Sequence, residues 1–202
     1  MENLQVVQEN LQTIIITPCH EHAAVLSSVW SSSWPVIAAK AGYTQEQIIT
    51  KLQARSIPWW IEFIKIMSVA FYVKDSFNNT GVFYLANDHD LCNFLEINHE
   101  CHEHCTTPNV YLFIEKSSWG SQLSSFMTKT YAEKSCEKGF YQTGAWIMKS
   151  NTRSLAAAEK FSKKGYWIKR YELSTPPWES NIDFEYWLFD NQKYLKRFEK
   201  LQ

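Results

Sequence analysis

Residues 109–173 alternate strand-like and helix-like periodicity in an order that few sheets can accommodate. Residues 110–115 form an apolar run of strand length. Residues 118–121 are a turn, and an amphipathic helix opens from it and runs to about Glu137. Gln142–Met148 predicts a second strand, Ser150 and Asn151 a helix start, and residues 166–172 a third strand. Two parallel strands joined by a crossover helix bring the turns that follow them to the same sheet edge. A helix N-terminus at such an edge offers unpaired backbone N–H groups and a positive dipole end, which suit a phosphate.

The turn itself reads Trp119-Gly120-Ser121-Gln122-Leu123-Ser124. The second helix opens with Asn151-Thr152-Arg153-Ser154 and continues through Glu159-Lys160-Phe161. In order and spacing these residues resemble the GNAT superfamily of acyl-CoA-dependent N-acyltransferases. Within it, they are similar to the branch of ribosomal-protein N-terminal acetyltransferases and their spermidine- and antibiotic-modifying relatives. That branch has a Trp-Gly-x-Gly-x-Ala turn and an Asn-x-x-Ser helix start. The resemblance implies the α/β (α+β) GNAT fold, a mixed and mostly antiparallel sheet of about six to seven strands flanked by helices, as one domain over residues 1–202. The loop is degenerate: Gly120 is retained, but Gln122 stands at the central Gly position and Ser124 at the last. A side chain there holds the pyrophosphate away from the backbone, so Gln122 either donates its amide to the phosphate or obstructs it. Ser162 and Lys163 replace a Gly-Phe pair, a role that Gly165-Tyr166 takes if there is a small insertion.

What the resemblance implies for the site follows residue by residue. Acetyl-CoA would be the co-substrate, its arm held by the backbone of Leu112, Phe113 and Ile114. Its phosphates would lie on Trp119, Gly120, Ser121, Gln122, Leu123 and Ser124. Asn151 would sit beside the arm. Many members protonate the leaving thiolate with a Tyr in the middle of the second helix, where this chain has Ala158. In the ribosomal branch the Ser of Asn-x-x-Ser is the proposed donor, which is Ser154 here. An Asn-x-x-Ser opening caps any helix, and the preceding turn is what favours the cofactor. For the amine, Glu172 is the counterpart of the branch's carboxylate. Glu96, read as lying on a strand over residues 94–98, is the other candidate, and an ordinary solvated carboxylate is the alternative for both.

The remaining chain supplies the rest of the sheet. Residues 13–17 read as a short buried strand stopped by Pro18, and a helix with Ala23, Leu26, Val29 and Trp30 on one face follows. Thr44 caps a helix over residues 45–53. Residues 59–75 and 81–86 read as a hairpin with its turn at 76–81. The tail reads as a strand over 183–190 and a basic helix over 191–201. The resemblance implies that Trp30, Trp34 and Tyr43, with Trp178 after the stiff Pro176-Pro177 pair, are candidates for the acceptor groove, with plain packing as the other explanation.

Composition removes whole classes of partner. A formal charge of −1 gives no case for nucleic acid or a membrane surface. Nine Trp residues exceed what a core this size needs, so some suit a groove or contact surface, with core and rim packing for most of them. No leader-like opening or bilayer-length apolar run is present, and five irregularly spaced Cys read as reduced thiols, so the expected location is cytoplasmic. The run from His99 to Cys105 has the atoms for zinc. Only Cys101 and Cys105 form a clear short pair, however, and the run reads as a polar contact loop with no metal. Three functions stand at this point. The first is N-acetyl transfer to a primary amine, on a protein N-terminus, a polyamine or another small amine, by direct attack on the thioester. The second is a GNAT-fold binding or regulatory protein without turnover, and the third a zinc-stabilised interaction domain. The sequence leaves a homodimer open.

Overall fold

In the computed structural model, which describes residues 11–98, 107–119, 123–171, 173, 175–177, 179 and 182–199, two antiparallel blocks of strand meet at one residue pair. The first block holds β1 (Gln12–Ile15), β2 (Val69–Lys74), β3 (Thr80–Ala86) and β4 (Asn109–Ile114). The second holds β5 (Gln142–Met148), β6 (Trp167–Arg170) and β7 (Phe184–Asp190). Across the sheet the order is β1-β2-β3-β4-β5-β7-β6. Every neighbouring pair is antiparallel except β4 with β5, which is parallel and in register only at Asn109 and Gly144. The chain therefore has the mixed, mostly antiparallel sheet flanked by helices that its sequence implies.

Local chemistry explains most of the element boundaries. The β2–β3 turn closes because Asp75 Oδ1 accepts from the N–H groups of Phe77 and Asn79, both at 2.9 Å, while Asn78 takes the left-handed φ of 61°. Thr44 and Gln47 form a reciprocal capping box at the start of the second helix. The helices are α1 (His20–Lys40), α2 (Gln45–Ala54), α3 (Ile57–Lys65), α4 (Asp88–Phe94), α5 (Leu123–Glu137), α6 (Thr152–Ser162) and α7 (Asn191–Glu199). Among the described residues no helix is long and apolar enough to cross a membrane.

Two cores lie on opposite faces of the first block. On one face, Leu26, Val29 and Trp30 of α1 and Trp60 and Phe63 of α3 meet Val82 and Tyr84 of β3. On the other, Met127 and Tyr131 of α5 and Tyr194 of α7 meet Phe71, Phe83 and Phe189. A third, smaller cluster sets Ala158 of α6 against Ala145 and Ile147 of β5 and Trp187 of β7. Each fully buried large side chain contributes roughly 1.5–3 kcal/mol relative to exposure. The cores therefore hold the two blocks of the sheet more firmly than their single shared register pair can.

Three expectations are corrected. Residues 57–65, read as the approach to a hairpin, are the helix α3; Ser56-Ile57-Pro58 is a helix opening with proline in the first turn, and Lys65 lies in its last turn. β1 is an exposed edge strand rather than a buried one, and Ile16, just after it, is the buried residue. No strand covers residues 94–98. Leu95, Glu96 and Ile97 end α4 in a Schellman turn, with Ile97 N–H on the Cys92 carbonyl, Glu96 N–H on the Asn93 carbonyl and Glu96 at φ 55°. The His99–Cys105 run lies outside the described residues, and no metal-binding group is found among those described.

A candidate active site through the sheet

One register pair cannot hold two strands together along their length. Beyond Asn109 and Gly144, β4 and β5 share no ladder, and a cavity of about 340 Å3 occupies the opening. Both strands line it, with Val110, Tyr111, Leu112 and Phe113 on one side and Ala145, Trp146, Ile147 and Met148 on the other. Side chains alternate across a strand. Tyr111 and Phe113 accordingly join the α1–α3 core, whereas Val110 and Leu112 join the α5 core. The cavity thus connects the two faces of the sheet.

The closed end of the opening is tied by a buried carboxyl. Asp88, fully buried at the start of α4, accepts from Asn109 Nδ2 of β4 through Oδ1 and from Trp146 Nε1 of β5, at 3.0 Å, through Oδ2. Burial pushes its pKa up from 3.8 to about 7, against the pull of the two hydrogen bonds. Gly144 completes the join, because a Cβ there would collide with Asn109 Oδ1 and Tyr186 Oη.

On the α6 side the walls are Ser124 and Thr128 of α5 with Asn151 at the start of α6 and Ser154, Ala157 and Ala158 along it. Asn151 Oδ1 accepts from the Ser154 N–H at 3.3 Å, so the predicted cap forms and faces the cavity. Two buried donors here, Tyr131 Oη and Trp167 Nε1, have no hydrogen-bond partner among the described residues. On the opposite side, Trp30 and Trp34 stack one helical turn apart with centroids at 4.8 Å, and Tyr43 meets Trp34 edge-on at 5.5 Å. The Tyr43 hydroxyl donates to Glu179, which Lys51 also reaches at 3.3 Å.

Of the residues named from the sequence, Leu112, Phe113, Ser124, Asn151, Ser154, Trp30, Trp34 and Tyr43 line this one cavity. Ile114 does not line it; its carbonyl accepts from Trp119 Nε1 at 2.9 Å, and Trp119 lies at the surface. Leu123 is buried in the α5 core. Glu96 is exposed on the turn after α4 and is no part of the cavity, since a left-handed helix end, not a strand, carries it. Gly120, Ser121, Gln122, Glu172 and Trp178 lie outside the described residues. Sequence reasoning missed Lys51, Arg55, Trp59 and Glu179, all of which line the cavity. Arg55 and Trp59 flank the unrecognised start of α3, and Glu179 directly follows Trp178, on the loop that the sequence already placed beside the groove.

No family model and no curated protein matches this sequence. Solved structures match its fold. The spermidine/spermine N-acetyltransferase of Vibrio cholerae, solved with manganese ions, aligns with a TM-score of 0.54 at 11% identity, over 95% of this chain and 98% of that one. The PaiA N-acetyltransferase of Thermoplasma acidophilum in complex with coenzyme A aligns at 0.57 and 10%, over 87% and 97%. An N-acetyltransferase from Staphylococcus aureus Mu50 aligns at 0.51 and 13%, over 90% and 99%. Identities this low speak to architecture alone, and the architecture of this chain is the GNAT fold of the N-acetyltransferases.

Proposed function

We propose that the chain is an acetyl-CoA-dependent N-acetyltransferase acting on a primary amine. The cavity that passes between β4 and β5 carries this reading, because it joins an end bounded by Asn151 and Ser154 to an aromatic end bounded by Trp30, Trp34 and Tyr43. Likeness to a coenzyme A complex supports it further. The residues present suit an acyl-pantetheine arm. Its methylenes match Val110, Leu112 and Ala157, and its amide carbonyls would accept from the orphaned Tyr131 and Trp167 donors. Bound acetyl-CoA supplies an activated acetyl group.

The chain's own contribution is positioning and proton handling. The strand edges that β4 and β5 do not share orient the thioester through backbone groups, whatever the side chains are. Asn151 fixes the first turn of α6, and Ser154 in that turn holds the proton for the leaving thiolate. Excluding water along the apolar walls strengthens each of these interactions. Glu172 remains the proposed acceptor of the amine proton.

Calorimetric titration with acetyl-CoA tests the reading. Saturable binding is expected, with a rise in thermal midpoint, since ligand at ~100 times Kd stabilises by about 2.7 kcal/mol. Asn151→Ala should lower stability by about 1 kcal/mol through the lost cap and weaken acetyl-CoA binding as well. No binding to folded protein at millimolar acetyl-CoA would leave the fold without this activity. Ser154→Ala should lower kcat about 100-fold or more while keeping acetyl-CoA affinity. Unchanged turnover in thiol-release assays would assign the proton to another group.

A further inference from the structure

One charge at the aromatic end of the cavity lacks a counterpart among the described residues. Arg55, directly after α2, lies against three indoles, its guanidinium carbon 4.1 Å from the Trp30 centroid, 5.1 Å from Trp59 and 6.0 Å from Trp60. Among the described residues it makes no hydrogen bond and no ion pair. Glu179, the carboxylate on the same cavity wall, is taken by Lys51 and the Tyr43 hydroxyl. The remaining ionisable neighbours are the phenols of Tyr43, Tyr84 and Tyr111, all pushed up by burial and therefore neutral. Burial lowers the Arg55 pKa, yet a guanidinium stays charged in proteins.

Indole faces stabilise the plane of a guanidinium but accept none of its five N–H donors. Donors left unmatched in a partly dry cavity are costly, and their planar fork fits a carboxylate in bidentate fashion. We propose that the acceptor is a small amine bearing a carboxylate, namely an amino acid with an apolar or aromatic side chain, and that Arg55 binds this carboxylate. The proposal rests on the acetyl-transfer reading and names the substrate class of that site. Trp34, Phe63 and Tyr84 supply the apolar wall for the side chain. A cavity of about 340 Å3 is near the lower end of the roughly 300–1,000 Å3 usual for small-molecule sites, and the acetyl arm shares it. Polyamines fit poorly: their additional ammonium groups would face Arg55 and Lys51, and among the described residues the one carboxylate lining the cavity, Glu179, is already engaged. In the transfer, the amine lone pair forms the N–C bond to the acetyl carbon as the C–S bond breaks. The amine gives up one proton and the thiolate takes one.

The test is calorimetric titration of the full chain, with and without saturating CoA, using L-phenylalanine and L-tryptophan, the decarboxylated phenethylamine and tryptamine, and spermidine. The amino acids are expected to bind about tenfold or more tightly than their decarboxylated partners, and spermidine not to bind. Arg55→Met should weaken amino-acid binding about tenfold or more without changing phenethylamine affinity, and Arg55→Lys should fall between. Equal or tighter binding of the decarboxylated amines, absence of amino-acid binding, or wild-type affinity in folded Arg55→Met overturns the proposal. The comparison of ligands on the unsubstituted chain holds even if the variant does not fold. CoA binding is read separately, so a protein that binds CoA yet ignores the carboxylate sinks this inference alone. One that binds the amino acids through Arg55 but no CoA sinks the transfer reading alone.

Discussion

Gly144→Val is expected to abolish folding, and Gly144→Ala to cost roughly 3 kcal/mol or more, at the upper end for overpacking a core. The reason lies in what surrounds the one pair that joins the two blocks of the sheet. A Cβ at this position meets Asn109 Oδ1 and the Tyr186 hydroxyl at separations that real side chains do not adopt. Neither neighbour can retreat cheaply. Asn109 is held by its bond to Asp88, and Tyr186 is 1% exposed with its ring 4.5 Å from Trp146. Any relief separates β4 from β5 at their only register pair and opens the cavity from its closed end. Gly42 is the control: its φ is 94° but nothing lies within 4 Å of its Cβ position, so Gly42→Ala should cost only about 1–2 kcal/mol of backbone strain. Urea unfolding followed by circular dichroism measures both. Comparable losses at the two positions would mean that the β4–β5 join tolerates a methyl group and that the collision at Gly144 is relieved.

The strands and helices from β4 onward were legible because turn and cap residues separate them. Residues 145–148 are a continuous apolar run closed by Ser150 and Asn151, and Asn151 with Ser154 announces α6 by a cap that forms as written. The first half was harder. Trp59, Trp60, Phe63 and Ile64 lie on a helix, yet a run of bulky aromatic residues also suits a strand. Only Pro58 in the first turn distinguishes the two. Glu96 was misplaced because Leu95 and Ile97 alternate with Glu96 and Asn98, as in a strand, although they close a seven-residue helix.

The site divides in the same way. Residues tied to a local motif, such as Asn151 and Ser154, could be named from order and spacing. Arg55 and Glu179 could not, because their proximity to Trp30 and Tyr43 is created by tertiary packing across more than one element. The break between β4 and β5 is implied by the resemblance but not marked by any local pattern. It depends on Asn109, Gly144 and Asp88, three residues distant in the chain whose side chains or lack of one meet at a single point.

Asp88→Asn is expected to change how stability depends on pH. Asp88 has a carboxyl pKa of about 7 in the folded chain against an ordinary 3.8, first because burial disfavours its charge. Between those values the folded protein retains a proton that the unfolded chain has released. The stability this group lends is therefore complete below about pH 4, falls as pH rises through 7, and is level above it. At about 1.4 kcal/mol per pH unit, the loss between pH 5 and 8 is on the order of 3 kcal/mol. An amide cannot ionise, so Asp88→Asn lacks this slope, and its stability relative to the parent should rise by that amount across the same interval. The substitution has its own cost, because the new amide presents a donor where Asp88 had accepted from Asn109 or Trp146. Asn109 can absorb part of it by turning its amide over, since its Oδ1 has no partner among the described residues. At pH 5 the variant should thus be equal to or less stable than the parent, and by pH 8 the gap should have narrowed or reversed. Urea midpoints of both proteins at several pH values between 5 and 8 decide the matter. Parallel curves would mean that Asp88 is ionised throughout, and the tie between β4, β5 and α4 would then be a charged one.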